Sequence, residues 1–234
     1  MAPDSIPFDE DARAAGLLAA QNSALALFEE AERSLIRPGV TERALSREVH
    51  ALAADMFGVK AHWHKRVVRS GANTLMQYGK SPPDLTIQED DILFLDLGPV
   101  FEAWEADFGR TYVLGNDPAK LKLRDDLETV FATAKAHYEA NPDITGAELY
   151  AFACKLAEDA GWEFGGAIAG HLVGEFPHER SPGTKVASHI APGNPARLND
   201  PYPSGQKRHW ILEIHLVDKT RQIGGFYEQL LTVG

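Results

Sequence analysis

Five ionisable side chains interrupt apolar, strand-like runs in this chain. They are Asp96 in "FLDLG", Asp107 in "EADFGRT", His171 in "AGHLVG", Glu213 in "ILEIH" and Glu228 in "FYEQL". Taken singly, each has an ordinary reading: a carboxylate at a sheet edge, or a hydrogen-bonded structural histidine. Taken together they are a chemical set. Four carboxylates gathered without compensation repel and raise one another's pKa values. A divalent cation removes that conflict, and an imidazole among oxygen ligands suits Mn, Fe, Co or Zn. Asp96 and Asp107 stand eleven residues apart around Gly98 and Pro99. A turn between antiparallel strands sets such residues side by side across the ladder. Glu102 and Glu105, between them, are separated by an odd number and cannot share one face of a regular strand. Both read as solvent or rim positions. Arg110 reads as a charge partner behind the acids in preference to a substrate clamp.

Around this set lie candidates for a substrate pocket. In "HWHKRVVRSGANT", His62 and His64 are two apart, so an extended strand would place them on one face with Trp63 on the other. The pair has ligand spacing; pocket wall, for His64 and Arg69, and plain surface placement are the competing readings. His215 follows Glu213 by two residues and would share its face. The run "SPGTKVASHIAPGNPARLNDPYPSGQ" reads as a long loop, either a lid or a connection.

The elements that must position these residues follow from periodicity and breakers. Residues 9 to 36 have helical spacing, and Arg37 to Glu42 ("RPGVTE") supplies a break and Thr41 as N-cap for a second helix ending at Gly58. Strands joined by loops are expected through residues 61–87. "DDILFLDLGPVFEAWEADFGRTYVLG" reads as two strands about a turn, the second from Glu102 to Leu114. Helices start at Asp117–Pro118 and at Thr145 or Gly146. "HWILEIHLV" and "GGFYEQLLTV" are strand-like. The order of helices, hairpin, helices and strands lacks regular strand–helix alternation, which disfavours a doubly wound sheet and favours one α+β domain over 1–234.

At 234 residues and a formal charge of -11, the chain can bury a large core and is a poor general ligand for nucleic acid or an anionic membrane. No run approaches 18 apolar residues, and the acidic start lacks a secretory pattern, so a cytoplasmic location is expected. The single cysteine, Cys154, lies in a helical pattern and reads as a small buried hydrophobe.

With these residues in hand, the chain resembles the pita-bread metallopeptidase superfamily, which includes methionine aminopeptidase, prolidase, aminopeptidase P and creatinase. The resemblance runs from about Glu29 to Gly234. It implies a pita-bread fold, a curved antiparallel sheet with outer helices, in the compact form with only a short helical N-terminal extension. It also implies two divalent metal ions (Mn, Co, Zn or Fe) on Asp96, Asp107, His171, Glu213 and Glu228. "GHLVGEFPHE" is similar to the family's "GHGIG…HE" segment and implies His178 as a substrate or intermediate contact. Glu213 is then the catalytic proton acceptor. Two departures mark this chain: Ile214 and His215 follow Glu213 where the family has proline, and Tyr78 stands eighteen residues before Asp96 where peptidases carry a histidine. His64, Arg69, Tyr78 and His215 are the candidate pocket residues. The implied function is metal-dependent hydrolysis of a C–N bond in a short peptide or small amide, aminopeptidase- or dipeptidase-like. A metal-free creatinase-like amidinohydrolase and a non-enzymatic peptide-binding protein are the alternatives. A homodimer is expected on general grounds.

Overall fold

In the computed structural model, residues 9–178 and 185–233 are described. Helix α1 (Glu10–Ser34) starts where the Asp9 carboxylate accepts from the Ala12 amide. Its apolar stripe of Leu17, Ala20, Ala24, Leu27, Phe28 and Ala31 is buried in its own domain. Helix α2 (Glu42–Phe57) begins at an N-cap Thr41 and stops at Gly58, whose φ of 67° is the left-handed conformation that favours glycine. After β1 (Val67–Ser70) comes a 3₁₀ turn, Gly71–Leu75, and then β2 (Ile92–Leu97).

The expected second hairpin strand from Glu102 to Leu114 is broken into pieces. Short strands β3 (Val100–Phe101) and β4 (Trp104–Glu105) pair with each other as a separate ribbon, and β5 (Phe108–Val113) alone pairs with β2. Glu102, at φ 56°, makes the tight reversal that detaches the ribbon. Helices α3 (Pro118–Ala140) and α4 (Gly146–Asp159) follow, capped by Asp117 and Thr145; at α4 Glu148 completes a capping box. The chain closes with β6 (Glu163–Phe164), β7 (Leu172–Val173), β8 (His209–Asp218) and β9 (Ile223–Leu230).

The main sheet runs β1-β2-β5-β9-β8-β6, with β7 also on β8, and every pairing is antiparallel. Alternation along the strands sorts residues to two faces. Leu93, Leu95, Leu97, Phe108 and Tyr112 pack with α1 and α2, while Trp210, Leu212, Ile214 and Leu216 pack with α3 and α4. The other face carries Phe94, Asp96, Glu213, His215, Phe226 and Glu228, all lining one cavity. The α+β architecture expected from the sequence is therefore present. No helix of the described residues is long and apolar enough to cross a membrane.

Candidate metal centre

Strand register places three of the five acids and histidine in one row. Asp96 pairs with Gly109, Gly109 with Glu228, and Glu228 with Glu213. The row thus crosses β2, β5, β9 and β8 with carboxylates at three of four positions. Gly109 leaves the middle open: a Cβ there would stand 2.6 Å from Phe226 Cδ1 and 3.0 Å from Glu228 Cβ. Asp107 lies two residues before Gly109, just ahead of β5. His171 enters from the segment leading into β7, with its Nε2 3.0 Å from Asp107 Oδ2 and 3.7 Å from Glu228 Oε1.

His64 comes from elsewhere. Residues 61–66 are not a regular strand, so the expectation that His62 and His64 share a face does not hold. Trp63 is pinned by its amide to the Gly98 carbonyl at 2.9 Å and by its indole N–H to the Ala106 carbonyl at 3.0 Å. That anchor swings His62 toward His50, ring centroids 5.1 Å apart. It sends His64 inward, its Nε2 3.0 Å from Asp107 Oδ1 and 3.6 Å from Asp96 Oδ1. Two ligand triads result, His64–Asp96–Asp107 and Asp107–His171–Glu228, with the ligand atoms of each within 4.8 Å of one another. Asp107 belongs to both. Glu213 is in neither triad, although its carboxyl faces the same cavity.

The electrostatics describe a cluster of buried acids with little counter-charge from the protein's own side chains. Burial drives Asp96 up to about 7 and Glu213 up to about 8, and it lifts Glu228 well above the carboxylate range. Burial pushes Asp107 in the same direction, but the flanking His64 and His171 outweigh it and hold its pKa below the ordinary value. Burial opposes charge on both histidines; Asp107 and Asp96 nonetheless raise His64 to about 10, and the bond to Asp107 raises His171 to about 9. Glu228 Oε2 is buried without a hydrogen-bond partner among the described residues, and a cation ligated there would satisfy it. Carboxylate oxygens with one imidazole per triad fit a pair of divalent transition ions.

The cavity over this centre holds about 810 Å³. Its apolar wall is Phe94, Phe226 and Val67, with the Phe94 and Phe226 rings 5.4 Å apart. Phe94 and Phe226 each precede a row carboxylate by two residues, and that spacing alone would have found them. His215 sits beside them, its Nε2 donating to the Thr74 carbonyl at 2.8 Å. Tyr78 lies at the mouth, half exposed, its hydroxyl accepting from the Lys65 amide at 3.3 Å. Trp63, which sequence reasoning did not single out, packs edge-on to His64, His171 and His178. Ser188 and His189, within the run read as a lid or connection, also line the cavity, while residues 181–184 of that run lie outside the described residues.

Three expectations need correction. Arg69 does not line this cavity; its guanidinium reaches a separate cleft, where it donates to the Lys80 carbonyl at 2.8 Å. Glu105 is not at the rim but 2% exposed, because β4 docks against the His171–His178 segment. Arg110 pairs with no ligand carboxylate; it donates to the Gly109 and Glu228 carbonyls at 2.8 and 2.9 Å and to Gln229, clasped between Phe108 and Tyr227. It thus fixes the backbone that carries Glu228. Cys154 is half-buried in α4, and burial raises its thiol pKa.

Comparison with known proteins places this geometry. The family model for metallopeptidase family M24 matches residues 15–201, a span that holds Asp96, Asp107 and His171 and ends before Glu213 and Glu228. Among curated relatives, the Xaa-Pro dipeptidase of Pyrococcus horikoshii is 30% identical over 68% of this chain and 44% of its own length. That of Lactobacillus delbrueckii subsp. lactis is 30% identical over 62% of this chain and 39% of its own. The chain therefore spans about two fifths of the length of these relatives. The fold matches the prolidase of Thermococcus sibiricus with a TM-score of 0.74 at 19% identity, covering 94% of this chain and 56% of that one. It matches the X-Pro aminopeptidase of Thermotoga maritima with a TM-score of 0.73 at 18% identity, covering 97% and 62%. The pita-bread architecture implied by the sequence is the one seen. On the family match, supported by the two ligand triads, the chain belongs to metallopeptidase family M24.

Proposed function

We propose that this chain carries a two-metal hydrolytic centre that cleaves a C–N bond in a short peptide, with Xaa-Pro dipeptides the first substrates to test because the matched relatives are named for them. The observation that carries the reading is the pair of ligand triads sharing Asp107. His64, Asp96 and Asp107 would hold one ion; Asp107, His171 and Glu228 would hold the other. Divalent ions in such a pair supply Lewis acidity toward the scissile carbonyl and activate water at neutral pH.

The chain's own groups do the rest. Glu213, paired across the strands with Glu228 and facing the cavity without belonging to either triad, is the group placed to take a proton from water and pass it to the leaving amine. His178 lines the cavity and contacts the substrate amide. Phe94, Phe226 and Val67 receive an apolar side chain and exclude water from it. Arg110 keeps Glu228 in register from behind.

The test is metal analysis followed by turnover. The chain, stripped by chelation, is titrated calorimetrically with Mn, Co, Zn and Fe(II), then offered Xaa-Pro dipeptides, other dipeptides, methionyl peptides and small amides. Two ions per chain and hydrolysis only after loading are expected, with Glu213→Ala abolishing turnover while the fold persists. A chain that binds no ion and hydrolyses an amide regardless would instead be a metal-free hydrolase. One that binds no ion and cleaves nothing would overturn the hydrolase reading.

A further inference from the structure

Among the described residues, Glu105 is the most deeply buried acid whose place a metal centre does not explain. It sits on β4, in the small ribbon that leaves the main sheet between Asp96 and Asp107, and is 2% exposed. Both carboxylate oxygens are engaged, and among the described residues their partners are Gly174 and His178. Oε2 accepts from His178 Nδ1 at 2.6 Å and from the Gly174 amide at 3.2 Å, and Oε1 accepts from the His178 amide at 3.1 Å. The backbones are stitched as well: the Glu105 amide donates to the Gly174 carbonyl at 3.1 Å, and the Phe176 amide to the Ala103 carbonyl at 2.8 Å. Gly174 allows the fit, since a Cβ there would lie 3.1 Å from His178 Cβ.

We propose that Glu105 is the positioning residue for His178, fixing both the ring's orientation and which nitrogen faces the substrate. A carboxylate can only accept, so the short bond to Nδ1 requires that nitrogen to carry a proton. Nε2 is then the nitrogen left for the cavity. Trp63 packs edge-on against the ring at 5.6 Å between centroids and restrains its rotation, while the bond to Glu105 holds the tautomer. The two backbone amides bound by the same carboxylate fix the Cα of His178 as well as its ring. Glu105 thereby couples the ribbon between the two aspartates to the substrate-contacting histidine, in the way that a carboxylate orients an imidazole in other catalytic sites.

This inference rests on the hydrolase reading for its kinetic consequence but not for its structural one, and the experiment separates them. Glu105→Gln keeps the shape but must turn its amide nitrogen toward one set of donors. Expected results are two ions per chain, as in the parent, a loss of kcat/KM on the order of 10–100-fold carried mainly by kcat, and no further loss on adding Glu105→Gln to His178→Ala. Long-range ¹H–¹⁵N spectra of histidine-labelled protein, with the His178 signal assigned from His178→Ala, should show the Nδ1–H form in the parent and its loss in Glu105→Gln. A parental kcat/KM in Glu105→Gln, or losses that multiply in the double variant, would overturn the proposal. An Nε2–H form in the parent would do so too, and that spectrum decides the matter even if Glu105→Gln fails to fold. If the parent cleaves no peptide, the hydrolase reading fails alone, and the spectra still decide the role of Glu105.

Discussion

Replacing Gly109 by alanine tests whether the carboxylate row is set by register. Gly109 is the one position of the row without a side chain, between Asp96 on β2 and Glu228 on β9. A Cβ would meet Phe226 Cδ1 at 2.6 Å and Cε1 at 2.8 Å, against an ordinary contact of 3.4–4 Å, so the ring must retreat by about 0.8 Å. It has little room to do so. Thr111 Oγ1 donates to the Phe226 carbonyl at 2.9 Å and accepts from its amide at 2.7 Å, and the ring packs against both Phe94 and His215, at 5.4 and 6.1 Å between centroids. Glu228 Cβ, at 3.0 Å, must yield too. Overpacking of this kind costs about 1–3 kcal/mol. Each kcal/mol lowers Tm by roughly 2–4 °C in a domain of this size, so a fall of about 2–12 °C is expected. Urea unfolding of the metal-free variant measures the first part, and calorimetric titration with Mn²⁺ measures the displacement of Glu228 as a weaker second ion. Gly193→Ala, where the nearest atom stands 3.6 Å away, should stay within about 0.5 kcal/mol of the parent. If Gly109→Ala matched that control in stability and the parent in metal affinity, the row would not constrain the site as argued.

Further outcomes follow from the same contacts. In the metal-free chain, Asp96, Glu213 and His171 have folded pKa values raised to about 7, 8 and 9, while burial lowers His62, His209 and His215. Above about pH 7 the lowered histidines are largely neutral folded or unfolded, so there the raised groups leave the native state with more bound protons than the unfolded one. Their stabilisation is complete at low pH and is lost as pH rises through those values; Asp107, shifted down, changes stability only in acid. The urea midpoint with chelator should therefore fall from about pH 7 to about pH 8.5 and recover on adding Mn²⁺, and a rising midpoint over that interval would refute this. His64→Ala should weaken the ion at Asp96 and Asp107 by at least ~10-fold in calorimetry while sparing the other; equal loss at both, or none, would remove His64 from the ligand set. Glu42→Ala leaves the Ser70 amide (2.6 Å) and the Asn73 side-chain amide (3.0 Å) without their buried acceptor, and should cost about 2–4 kcal/mol by urea unfolding without changing metal stoichiometry.

The parts of the site that could be read from the sequence are those in which local pattern and tertiary position coincide. Asp96, Glu213 and Glu228 each break an apolar alternation, and the strand period alone puts them on the face opposite the leucines that meet the helices. His215 follows by the same period. What was not legible depends on segments with no period. His64 reaches the acids because Trp63 is tied to Gly98 and Ala106 across more than thirty residues of chain, and nothing in "HWHK" encodes that tie. Glu105 was misread for a related reason. Its spacing excludes it from the face of a continuous strand, and the inference to solvent then failed because the strand is not continuous. Glu102 reverses the chain, the ribbon folds over, and the acid is buried against a partner seventy residues away. Arg69 shows the opposite case: the alternation of β1 that brings Val67 to the cavity wall would bring Arg69 too, but its guanidinium leaves for the Lys80 carbonyl.

The same topology explains how the chain tolerates so much buried charge. The clustered groups arise from three strands, which carry Asp96, Glu213 and Glu228, and from three segments outside strands, which carry His64, Asp107 and His171; among the described residues none of the acids makes a salt bridge to a lysine or arginine. The two cations that do approach are histidines, His64 and His171, each within 3.0 Å of Asp107. They neutralise the shared ligand and leave Asp96, Glu213 and Glu228 to hold protons instead of charge. Such a cluster folds without its metals by protonation and becomes fully ionised only when cations enter, because ligands must deprotonate to bind. Metal affinity should accordingly rise with pH over the interval in which the metal-free fold weakens. Both trends have one origin, the register that sets Glu213 against Glu228 and Gly109 between Glu228 and Asp96.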